Sequence, residues 1–153
     1  MENLGEFLGY FMVRKVIAGQ ELLHAAGTVT KKLASWLHDQ GFIDETDFEE
    51  ATERGADAAR DLPRAERLGW ALYELAKRAP EVVVDAIPDK DWVEGHLQIT
   101  RVDPAALWFE GGVGPVKVPQ TASVLAQVGW SVTITLARLQ GQWQVLEVGN
   151  VYP

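Results

Sequence analysis

Near Trp92 the spacing of apolar residues changes from the helical repeat to strict alternation, which restricts the chain to an α+β architecture with its helices first. Before that point apolar positions recur every three or four residues. After it, Trp130, Val132, Ile134 and Leu136 alternate with Ser131, Thr133, Thr135 and Ala137, one apolar face against one polar face. The pattern predicts a helical domain of three to four helices over residues 1–88. A linker at Pro88-Asp89-Lys90-Asp91 then leads to a small antiparallel five-stranded β-barrel or bent sheet over 92–153, with one short helix, packed on the helices.

Within the helical part, Leu4, Phe7, Leu8, Phe11, Met12 and Val16 form one stripe, but Tyr10, Val13 and Ile17 fall beside or beyond it. One buried face needs only about 100° of apolar stripe, so the excess predicts burial on two sides. Phe7, Tyr10, Phe11, Val13 and Ile17 are therefore the candidate interface residues, facing other helices, a protein partner or a second copy of the chain. A second helix is expected over 21–40, with Leu22, Leu23, Ala26, Val29, Leu33, Trp36 and Leu37 at helical spacing and Gly41 as its stop. Thr46 and Glu49 have capping-box spacing and open a third helix to about Arg60, whose Ala51, Gly55, Ala58 and Ala59 would admit a neighbour closely. Pro63 then reads as the first turn of a fourth helix ending at Pro80. Residues 81–87 fit a strand or a helical turn equally.

In the β part, strands are expected over 95–102, 106–110, 116–118, 130–139 and 142–148, with a short helix over 120–127 and a two-residue turn at Gln140-Gly141. A helix between the third and fourth strands is similar to the OB-fold, and the stretch from Val116 to Val132 also resembles swapped-hairpin transcription factors. Leu33, Trp36 and Leu37 before Gly41-Phe42-Ile43 resemble the helix and turn of winged-helix regulators. These resemblances imply a nucleic-acid-associated regulator as the alternative function. Charge argues against it: of the 14 Lys and Arg residues, only Arg101, Lys117 and Arg138 fall in the β part, too few to neutralise a phosphate backbone.

The sequence carries no catalytic signature. The absence of cysteine excludes disulfides, thiolate metal sites and thiol nucleophiles, and it suits a cytoplasmic setting. His24, His38 and His96 lack metal-ligand spacing, and the glycines at 111, 112 and 114 match no phosphate-binding loop. No cofactor, metal or catalytic residue is expected, and no segment reads as a signal peptide or membrane span. A small enzyme is the third possibility, requiring folding to bring Glu110, Glu147 and His96 together. The leading expectation is a soluble, acidic, non-enzymatic protein-binding or assembly module that forms a homo-oligomer.

Overall fold

The computed structural model describes residues 6–15 and 20–153. Over these residues the architecture is α+β, with four helices and a closed five-stranded barrel. Helix α1 opens with a π-helical turn over Phe7–Phe11 and continues as α-helix over Met12–Lys15. Helix α2 spans Gln20–Asp39, α3 spans Glu45–Ala76 and the short α4 spans Gln120–Leu125. The strands are β1 Trp92–Asp103, β2 Ala106–Phe109, β3 Val113–Lys117, β4 Ser131–Leu139 and β5 Gln142–Tyr152.

The chain divides into two compact units, one running to Arg64 and the other comprising Ala65–Val151. The division falls inside α3, whereas the change of periodicity lies at the start of β1.

In the first unit α2 ends as its glycine implies. Gly41 has φ 72°, its N–H donates to the His38 carbonyl at 2.9 Å, and the Phe42 N–H reaches back to the Leu37 carbonyl at 2.9 Å. Both orphaned carbonyls are satisfied only because residue 41 can adopt left-handed backbone. The start of α3 corrects the expected capping box. Asp44, not Thr46, caps the helix, its Oδ1 accepting the Asp47 N–H at 2.8 Å. A carboxylate there also complements the positive end of the helix dipole.

Pro63 is a second correction, because α3 runs through it without a break, so the expected third and fourth helices are one. Proline has no N–H to give the carbonyl four residues earlier, which is that of Ala59. The His24 ring takes its place, with Nδ1 3.0 Å from the Ala59 oxygen. A carbonyl can only accept, so Nδ1 carries the proton. His24→Ala is therefore expected to cost about 1–2 kcal/mol by leaving that carbonyl unpaired. The same substitution should cost much less in a Pro63→Ala background, where residue 63 regains its N–H. Urea titration of the two single variants and the double variant checks this, and equal costs in both backgrounds would refute the compensation.

Two clusters form the cores. Leu8, Met12, Leu23, Ala58 and Leu62 pack together in the first unit, joined by the half-buried Val13 and Ala26. In the second unit Ala65, Leu68 and Leu72, spaced three and four apart on α3, join Ile99, Leu107, Phe109, Val116, Ile134 and Leu136 from the strands.

The barrel closes in the order β1-β2-β3-β5-β4. β1 pairs antiparallel with β4 from Trp92↔Ala137 to Gln98↔Ser131, and with β2 from Ile99↔Phe109 to Asp103↔Ala106. β2 pairs antiparallel with β3, whereas β3 and β5 run parallel, with Val116 opposite Trp143. That corrects the expected all-antiparallel barrel, and the reason is parity. Five strands closed in a ring cannot alternate direction all the way round. The β4–β5 connection is the two-residue turn, with Gln140 at φ 49° and Gly141 at φ 80°, positive at both central positions as a tight hairpin requires. α4 lies between the third and fourth strands, where the OB-fold resemblance puts a helix. Residues 81–87 are neither strand nor α-helix but carry a 3-10 turn over Val84–Ala86.

Candidate interaction surface

The surface most in need of explanation lies on α2. Two rows of residues run along this helix, each stepping by four, three, four and three. Leu23, Gly27, Thr30 and Ala34 are buried, and Leu37 at the end of the row is partly so. The Thr30 hydroxyl, buried with them, donates to the Ala26 carbonyl at 2.9 Å, so the row leaves no polar cost there. α3 comes close at Gly27, since a Cβ at that position would stand within 3 Å of the Gly55 carbonyl oxygen.

One residue earlier, and so about 100° round the helix, Leu22, Ala26, Val29, Leu33 and Trp36 form the second row. Here Leu22 is 53% exposed, Val29 61%, Leu33 49% and Trp36 53%. Phe42, beyond the glycine stop, lies against Trp36 with ring centroids 5.9 Å apart and is also exposed. A steady three-and-four spacing of apolar side chains is the seam that helices use to pair, yet all of this row but Ala26, which packs against the first core cluster, is about half or more exposed.

The candidate interface residues of α1 divide. Phe7, Tyr10 and Phe11 are 42–46% exposed, and the Phe7 and Phe11 rings stack at 5.8 Å. Arg14 donates to the Tyr10 hydroxyl at 2.7 Å and its guanidinium lies 5.4 Å from the centre of that ring. Val13 instead packs against the first core cluster, and Ile17 lies outside the described residues. Leu8 and Met12, four residues apart, share the buried face, while Phe7 and Phe11, one residue earlier and so about 100° round the helix, stay half exposed. The α2 row carries no motif beyond its spacing. Its exposure could not be separated from that of the adjacent buried row without the fold.

Of the barrel's candidate ionisable residues, Glu110 and His96 are tied to neighbouring strands and Glu147 is exposed on β5. The Glu110 carboxylate accepts the Gln98 N–H at 3.1 Å, and His96 Nδ1 is 3.0 Å from the Thr133 hydroxyl. Among the described residues no group of three or more His, Asp or Glu side chains is placed to hold a metal ion. None of the described helices is long and apolar enough to cross a membrane.

Arg101, Asp103 and Trp108 form a compact cluster on the outside of β1 and β2. Arg101 Nε and Trp108 Nε1 each donate to the Asp103 carboxylate at 2.9 Å, while the guanidinium lies 5.3 Å from the centre of the indole. Gly114 lets the indole lie close over β3, since a Cβ there would come within 2.8 Å of it. The hydrogen bond from Arg101, then that from Trp108, holds the Asp103 carboxyl below the usual carboxylate range. The folded state thus favours the ionised form, a preference present at neutral pH and lost as pH falls through the depressed value. Arg101→Met should return the Asp103 titration midpoint toward about 3.9, measurable by carboxyl-carbon NMR.

Among the barrel's aromatic residues, Phe109 is buried in the core, while Trp108 and Trp143 are partly exposed. The barrel's cations are engaged locally: Arg101 with Asp103, Lys117 with Gln142 at 3.3 Å, and Arg138 with the Gly141 carbonyl at 3.5 Å. A cleft of about 600 Å³ opens between residues 80–88 and the β4–β5 hairpin, lined by Glu81, Arg138, Gln140, Gln142 and Gln144 among others. No protein-family model, curated protein or solved structure matches this chain. Any functional reading therefore rests on the geometry of these surfaces.

Proposed function

We propose that this protein is a non-enzymatic binding and assembly module, acting in the cytoplasm and holding a protein partner or a second copy of itself through the apolar surface of its helical unit. The observation that carries the reading is the exposed row on α2, reinforced by Phe7, Tyr10 and Phe11 on α1. Exposed hydrophobic residues scattered singly need no explanation, but a row at helix-pairing spacing does. Glu110, Asp103 and His96 of the barrel are each engaged in a local hydrogen bond, which supports binding over chemistry at those groups.

The test places a photo-crosslinking amino acid at Phe11 or Val29 in the living cell, with Val83, 73% exposed and outside the helical unit, as control. Protein adducts should form from positions 11 and 29 and be scarce from 83. Equal labelling at all three would count against the reading.

A second reading, a nucleic-acid-associated regulator, draws on the helix between β3 and β4 and on the Arg101 and Trp108 stack. Salt-dependent binding of single-stranded DNA or RNA that is lost in Trp108→Ala would favour it.

A further inference from the structure

We infer that the exposed row of α2 is a self-contact, along which two copies of the chain pair with their α2 helices antiparallel. This rests on the assembly reading above and names the partner and its orientation.

The row fits its own reverse. Run antiparallel about a two-fold axis near position 31, the row sets Trp36 against Ala26 of the other copy and Leu33 against Val29. Each layer then joins a wide side chain to a narrower one, the alternation that fills a helix interface without voids. A parallel pair would instead oppose Trp36 to Trp36 and Ala26 to Ala26, overfilling one layer and emptying the other. The antiparallel arrangement also sets the helix dipoles in opposition.

The row also offers enough area. With Leu22, Val29, Leu33, Trp36 and Phe42 each about half to two-thirds exposed, these side chains offer on the order of 500 Å² of apolar surface per copy. Two copies bury roughly 1,000 Å² from them alone, the size at which a contact becomes specific rather than incidental. No charged residue occupies the row, so pairing strips no ion of its water. Lys32, which borders its centre, is exposed and can cover a layer with its methylenes while its ammonium stays in solvent.

Because the chain lacks cysteine, introduced thiols report orientation without interference. Sedimentation of the full chain should show a concentration-dependent dimer, with association weakened at least tenfold by Leu33→Lys and by Trp36→Ala. Both sites are exposed, so circular dichroism and melting should match the parent. Under mild oxidation a mixture of Leu22→Cys and Gln40→Cys chains should form crossed disulfides. Either variant alone should not, since positions 22 and 22 of an antiparallel pair stand about 27 Å apart. Disulfides from each variant alone would overturn the inference in favour of a parallel pair, and so would a dimer indifferent to Leu33→Lys. A chain that stays monomeric at high concentration while position 29 crosslinks to a different protein would overturn the self-contact and leave the assembly reading standing. Monomer together with no adducts would end both.

Discussion

Replacing Gly27 with alanine should destabilise the helical unit by about 2 kcal/mol or more, even though alanine is the better helix former by about 1 kcal/mol. The added methyl would stand 2.3 Å from the Gly55 carbonyl oxygen and 2.5 Å from the Ala59 nitrogen, and both are backbone atoms of α3 that no rotamer change can move. The helices would have to separate, opening gaps around Leu23, Ala58 and Leu62. Gly9 is the control, since a Cβ there meets nothing within 4 Å. Gly9→Ala should be neutral or stabilising, by up to about 1 kcal/mol. Urea unfolding followed by helical circular dichroism separates the two, and a Gly27→Ala chain as stable as its parent would show that the crossing yields more than this geometry allows.

The second large effect is expected at Leu68. It is fully buried and shares a cluster with Phe109, Leu107 and Ile134 of the barrel, so Leu68→Ala should cost about 3 kcal/mol, within the range for emptying a packed site. The loss should appear as faster amide exchange in β4, because residues 65–76 of α3 contribute Ala65, Leu68 and Leu72 to the barrel's own core. A fragment of residues 65–153 is accordingly expected to fold, whereas one beginning at 88, where the change of periodicity suggests a boundary, should fail to give dispersed amide signals. A well-folded 88–153 fragment would show that the helix adds little to the barrel.

Pro63 shows how such a boundary escapes a reading of local signals. Taken alone, Asp61-Leu62-Pro63 marks the start of a new helix, since the missing N–H is harmless only in a first turn. What makes an interior proline tolerable is a histidine 39 positions earlier, and only the crossing of α2 and α3 brings His24 to the Ala59 carbonyl. The parallel β3–β5 pair is of the same kind. Each strand is legible by alternation, but the direction of its neighbours follows from closing an odd number of strands into a ring.

Features governed by neighbours in sequence were readable in advance: the change from helical to alternating spacing at the barrel's start, the Gly41 stop, the Gln140-Gly141 turn and the small-residue face of α3 that receives Gly27. Each is set by backbone sterics or by periodicity within a few residues, so no distant contact is needed to decide it. Tertiary structure alone decided which of the two apolar rows on α2 is hidden, which rings of α1 reach water, and that Glu110 and His96 are tied to strand partners. Periodicity marks a side chain as apolar and gives its angle on the helix, but burial depends on what else arrives at that angle. For Leu22, Val29, Leu33 and Trp36 the described residues leave about half of each side chain uncovered.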